Sequence, residues 1–242
     1  MEPQHALYMI PVPISEGNWH RVLPEFNKRL ISRLKYFIVE NIRTARRFLK
    51  KIDPEINISE ITFYELNGHT PENEISGYLC ALRRGEAMGV MSEAGCPGVA
   101  DPGAKVVLQA QMEGFRVVPL VGPSSILLAI MASGMNGQKF AFHGYLPVKD
   151  AERDKSVREL EQQSRRQDMT QLFIETPYRN DRLFGCLLKN LGGETYLCVA
   201  RGLTDPNTES VVTKKVKDWK KSEYEIGKVP SIFLIYAGNV NP

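Results

Sequence analysis

Short apolar runs alternate with amphipathic segments through the first half of the chain. Runs at 6–12, 36–40, 60–66, 87–92 and 116–121 have strand length and are bounded by polar or turn residues. Between the first two, Leu23, Phe26, Leu30 and Leu34 recur at helical spacing around Pro24. After the second, Ala45, Phe48, Leu49 and Ile52 do the same. Thr70-Pro71 opens a third helix carrying Ile75, Tyr78, Leu79 and Leu82, with Thr70 as N-cap and Pro71 in the first turn. Asp101-Pro102 repeats that signature ahead of Val106, Val107 and Ala110. Strands joined by helices of this length run parallel, so the pattern predicts a mostly parallel α/β sheet.

The texture changes after Val121. Gly122-Pro123 leads into an apolar helix over 124–133, a strand over 140–145, a charged helix over about 151–166 and a strand over 170–175. A Thr176-Pro177 cap then starts a helix ending at Gly192, followed by strands near 195–201, 210–216 and 231–237. The closing strands leave no room for a full crossover helix before each, so part of this second sheet is expected to be antiparallel. The reading is two α/β domains, 1–121 with a mostly parallel sheet and 122–242 with a mixed one.

Charge is uneven behind a net value of only +3. Residues 21–51 carry ten Lys or Arg against Glu25 and Glu40, and Lys214, Lys215, Lys217, Lys220 and Lys221 form a second cluster diluted by Asp218. Such patches attract polyanions, although solvated helix faces have the same composition. The four cysteines form no Cys-x-x-Cys pair and the four histidines lack ligand spacing, so reduced thiols and no metal site are expected. No apolar stretch approaches the ~20 residues of a membrane span, and the start of the chain lacks a basic segment followed by an apolar one. A cytoplasmic protein without membrane contact is the expectation.

Open α/β sheets bind ligands beyond the carboxyl ends of their strands, which directs attention to the segment Ser92 to Gly103. It holds three glycines, two prolines and two carboxylates in twelve residues, a composition that exposes backbone to a ligand or simply connects strand to helix. No Gly-x-Gly-x-x-Gly, Walker-type loop or Gly-x-Ser-x-Gly occurs, which argues against dinucleotide oxidoreductases, P-loop NTPases and α/β hydrolases.

Several segments, in order, resemble the ribosomal RNA small subunit methyltransferase I family of the tetrapyrrole methylase superfamily. They are Tyr8-Met9-Ile10-Pro11-Val12-Pro13-Ile14, the Ser92 to Gly103 loop, Val117 to Ser124, Gly144-Tyr145-Leu146-Pro147 and Glu175-Thr176-Pro177-Tyr178-Arg179. The resemblance implies S-adenosylmethionine (SAM) as methyl donor with no metal, a cofactor cleft between the two domains, a homodimer, and a cytidine ribose 2′-hydroxyl of small-subunit ribosomal RNA as acceptor. Positions matching the cofactor motifs are Pro13, Ala94, Gly95, Cys96, Val99, Ser124, Ser125, Glu175 and Gly202. Where the family has a Glu-Asp-Thr-Arg segment this chain reads Glu40-Asn41-Ile42-Arg43, and where it has a glutamate this chain has Gly202.

Methyl transfer from a sulfonium needs alignment of acceptor, methyl and sulfur, and a weakly nucleophilic hydroxyl gains from a nearby base. Glu40, Glu93 and Glu175 are the candidate bases. Asp101 is a further carboxylate, equally suited to a helix cap because Pro102 follows it. Arg43, Arg46 and Arg47 are placed to meet RNA phosphate, with Arg179 and Arg201 in the second domain. Two other readings share these residues: a tetrapyrrole-like or other small-molecule acceptor, and a catalytically silent RNA-binding homologue.

Overall fold

The structure is a computed structural model that describes residues 3–17 and 19–238. The chain divides into two compact units, Met1–Ser124 and Ser125–Pro242.

In the first unit, β1 (Leu7–Met9), β2 (Tyr36–Val39), β3 (Thr62–Glu65), β4 (Met88–Met91) and β5 (Val117–Pro119) form one sheet in the order β3-β2-β4-β1-β5. Every pairing in it is parallel. The connecting helices are α1 (Glu25–Ile31), α2 (Ile42–Ile52), α3 (Glu72–Tyr78), α4 (Cys80–Arg83) and α5 (Gly103–Met112). Pro119 is tolerated because β5 lies at the sheet edge, where one missing N–H donor breaks no ladder on its open side.

Alternating strand residues separate two cores. Tyr8, Phe37 and Val39 pack with Leu30, Ile31, Leu49 and Ile52 of α1 and α2. Leu7, Ile38 and Val90 pack on the opposite face with Leu79, Leu82, Val106 and Ala110 of the helical segments that follow β3 and β4. Burying both faces explains why these strands read as continuous apolar runs. The connections after β1 and β2 thus cross one face, and that after β4 crosses the other. β4 sits between β2 and β1, so it is flanked on both sides by strands whose connections leave oppositely. That is the point at which an open α/β sheet opens a crevice at its carboxyl edge.

The second unit contains α6 (Ser125–Ser133), β6 (Phe140–Tyr145), α7 (Asp150–Gln167), β7 (Thr170–Glu175), α8 (Asn180–Asn190), β8 (Tyr196–Arg201), β9 (Ser210–Lys215), α9 (Val216–Trp219) and β10 (Ser231–Tyr236). Its sheet runs β6-β7-β10-β8-β9; β6 and β7 are parallel, and the other pairings are antiparallel. One face is covered by α7, α8 and α9 through Val157, Leu160, Leu183, Leu187 and Trp219. The mixed sheet anticipated from the short connections is present.

Two local expectations fail. Thr70 does not cap the third helix: its Oγ1 accepts the Asn67 N–H at 3.0 Å and closes a preceding turn, so the helix begins at Glu72 behind Pro71. Phe26 does not face the core. It is 47% exposed, and Asn27 is buried instead, because its Nδ2 donates to the Val121 carbonyl at 2.9 Å. A side-chain amide can be buried on that face once its donor is satisfied.

Candidate active site

Three loops meet beyond the carboxyl ends of β1, β4 and β5. Val12 and Gly95 exchange main-chain hydrogen bonds of 2.9 and 3.1 Å, which pins the loop after β4 to the segment after β1. Gly95 has φ +72°, and Cys96 Sγ donates to the Pro123 carbonyl at 3.4 Å. Gly122 lies against Pro11, where a Cβ on residue 122 would come within 2.7 Å of the proline Cγ. The neighbourhoods of Pro13, Gly95, Cys96 and Ser124, up to 111 positions apart in the chain, are therefore assembled on one edge. Ala94 and Val99 are exposed on the same loop.

A carboxylate group lies beside this edge, between the ends of β2 and β4. Glu40 Oε1 accepts the Glu93 N–H at 3.0 Å. Asp101 Oδ1 accepts the N–H groups of Gly98 and Gly103, at 2.8 and 2.6 Å, so it closes the loop and starts α5. Glu40 and Asp101 line one small recess, walled by Ile38, Leu66 and Val90. Burial of Glu40, reinforced by its hydrogen bond with Asp101 and by the charges of Asp101 and Glu93, raises its pKa from 4.5 to about 7; the Glu93 N–H opposes the shift. The Glu93 carboxylate is engaged separately, by the hydroxyl of Thr44.

Asn41 accounts for its own presence. Its Oδ1 accepts the N–H groups of Arg43 and Thr44, at 2.9 and 3.2 Å, and so caps α2. That cap directs α2 away from the carboxylate group with Arg43, Arg46 and Arg47 exposed along it. Arg46 also lies over the ring of Phe63, 5.4 Å from its centroid.

In the second unit, register brings the remaining positions to one sheet edge. Ser231 at the start of β10 is level with Glu175 on one side and Arg201 on the other. Glu175 is buried and accepts from Arg179 Nη2 at 2.7 Å and from the Thr176 N–H at 2.7 Å. Arg201 spends Nη1 on the carbonyls of Glu225 and Ile226, at 3.2 and 2.9 Å. Gly202 has φ +57°, and a Cβ there would fall 2.7 Å from the Thr208 carbonyl oxygen, so no glutamate fits this backbone. Ser125 begins α6.

Solved structures with this fold define the class: the chain has the fold of the tetrapyrrole methyltransferases. The methyltransferase CobJ aligns over 96% of this chain and 93% of its own, with a TM-score of 0.62 and 14% identity. The cobalamin biosynthetic enzyme cobalt precorrin-4 methyltransferase, CbiF, aligns over 96% and 95% with a TM-score of 0.59 and 15% identity. By sequence, the chain is a relative of the ribosomal RNA small subunit methyltransferase I proteins. That of Vibrio cholerae is 33% identical over 201 residues, covering 82% of this chain and 65% of the relative. That of Mesorhizobium japonicum is 32% identical, covering 84% and 65%, and that of Pseudomonas aeruginosa 28%, covering 90% and 74%. This chain thus spans about 65% of the length of the first two. No family model matches the chain.

Proposed function

We propose that this chain is a SAM-dependent methyltransferase acting on small-subunit ribosomal RNA, with a cytidine ribose 2′-hydroxyl as acceptor. The observation that carries the reading is the pinned edge of the first unit, where Val12, Gly95 and Gly122 bring three sequence-distant loops together at a topological switch point. The sequence relationship to proteins named for ribosomal RNA methylation supplies the substrate class.

The residues there suit the group. A sulfonium carrying an amino-acid end is cationic near its reacting centre, and Glu40, Glu93 and Asp101 provide negative charge beside a partly apolar recess. Bound, SAM supplies an electrophilic methyl with a neutral thioether as leaving group. Pro13, Ala94, Gly95, Cys96, Val99 and Ser124 are the positions we assign to holding it. Glu40 is the carboxyl we assign to proton handling, because a group with pKa about 7 both accepts and releases a proton near neutrality. Glu93 and Glu175 are committed to Thr44 and Arg179. Arg43, Arg46 and Arg47 then meet RNA phosphate beyond the Glu93 loop.

Titration calorimetry with S-adenosylhomocysteine tests the cofactor half, and labelled-methyl transfer to small-subunit RNA and intact subunits tests the acceptor. One-site binding followed by labelled RNA supports the reading. Binding with transfer to a tetrapyrrole and none to RNA replaces the acceptor; absence of product binding overturns the enzyme. The reading carries with it a homodimer in the cytoplasm, which sedimentation and fractionation address.

A further inference from the structure

Two tyrosines stand in solvent at the carboxyl edge of the parallel pair β6 and β7. Tyr145 ends β6 and is 60% exposed; Tyr178, in the turn after β7, is 80% exposed. Tyr145 is level with Ile174, one residue before Glu175, so both aromatic residues belong to one strand-end region. Single exposed aromatics are ordinary on protein surfaces. The turn that carries Tyr178 is held by the side chains of Glu175, Asn180 and Asp181.

The Glu175 carboxylate closes the turn from below, accepting from the Thr176 N–H and from Arg179 Nε and Nη2, at 2.7, 3.0 and 2.7 Å. Asn180, fully buried, donates from Nδ2 to the carbonyls of Gly227 and Val229, at 3.2 and 2.7 Å. Asp181 accepts the N–H groups of Ile226 and Gly227, at 2.8 and 3.2 Å. The segment carrying Lys228 is thereby stapled to the turn carrying Tyr178, and Lys228 Nζ rests 5.4 Å from the ring centroid. The backbone that carries the ring is thus fixed, with a cation over one face of the ring, and a backbone already ordered leaves less entropy to lose on binding.

We propose that Tyr178 is a stacking platform for an unpaired base of the RNA substrate, with Lys228 answering an adjoining phosphate and Tyr145 flanking the site. The assignment rests on the RNA reading above. A nucleotide combines a flat π-face with an anion, the two features that the ring and the ammonium complement together.

The test is fluorescence anisotropy with a labelled single-stranded RNA and with an oligonucleotide of the same length bearing abasic positions. Tyr178→Ala is expected to weaken binding of the intact RNA about five- to 150-fold, the effect of losing one stacked base. Tyr178→Phe should retain affinity and the preference for intact over abasic strand, whereas in Tyr178→Ala that preference should shrink. Lys228→Ala should lower the salt dependence instead. Equal affinity of Tyr178→Ala and the parent, or equal binding of intact and abasic strands by the parent, overturns the platform while leaving the RNA reading in place. A parent that binds neither strand overturns the RNA reading itself. A dimer lost on Tyr178→Ala with RNA affinity unchanged assigns the ring to a second copy and also overturns the proposal.

Discussion

Gly122 rests directly on the ring of Pro11, with no space between them for a β-carbon. Residue 122 follows β5 and Pro11 follows β1, so the contact fixes the segment leaving one parallel strand against the segment leaving its neighbour. Neither partner can yield easily, since one is backbone and the other a ring. Gly122→Ala is expected to destabilise the protein by about 1–3 kcal/mol, the ordinary range for overpacking a close contact. It should weaken S-adenosylhomocysteine binding as well. Urea midpoints and calorimetry on the same preparation check both.

Restoring the family's glutamate is expected to harm this chain. At position 202 a side chain meets the Thr208 backbone and must adopt φ +57°, where only glycine is unstrained. Gly202→Glu should lose on the order of 2 kcal/mol or more in a thermal or urea transition. A variant as stable as the parent would mean that the 202–208 turn rearranges freely.

Glu40 makes stability depend on pH in a definite sense. Its pKa rises from 4.5 to about 7 on folding, so its favourable contribution is complete below pH 4.5 and is lost as pH climbs through about 7. Glu40→Gln keeps an oxygen for the Glu93 N–H and cannot ionise. Relative to the parent, the variant should therefore gain on the order of 1–3 kcal/mol between pH 5 and pH 8. Urea unfolding at the two pH values reads it directly, and a constant difference would contradict it.

The arginines of α2 should act through charge alone. Arg43→Gln and Arg47→Gln, both at exposed positions, are expected to weaken RNA binding similarly across sequences and to reduce the slope of log K against log salt by about 0.7 for each phosphate contact removed on a single strand. Sequence-dependent losses would instead indicate contact with bases.

The ten strands among the described residues were legible as short apolar runs, because the central strands of both sheets are buried on both faces, which leaves little else for those segments to be. Helix starts were less legible. Thr70 and Pro71 had the composition of a cap, but the Asn67 N–H competes for the same hydroxyl. Candidate-site positions could be named from their motifs, whereas their grouping could not. Glu40 meets Glu93 and Asp101 only because β2 and β4 are neighbours, a consequence of strand order across intervening β3. The staple formed by Asn180 and Asp181 on residues 226–229 likewise has no local sequence signal, since its partners lie 45 to 49 positions away.

The lysine cluster near residue 214 takes on another meaning in the second unit. β9 is the outermost strand of its sheet, and the main-chain groups on its far side are not consumed by a neighbouring strand. Lys214 lies over Trp219, and Lys215 and Lys217 reach back to Glu194 at 2.8 and 2.5 Å, which holds positive charge along that border. A second β-strand approaching to extend the sheet would have to displace or neutralise these ammonium groups. Lysines along an edge strand disfavour edge-to-edge pairing in general, a way of keeping other chains out rather than drawing one in.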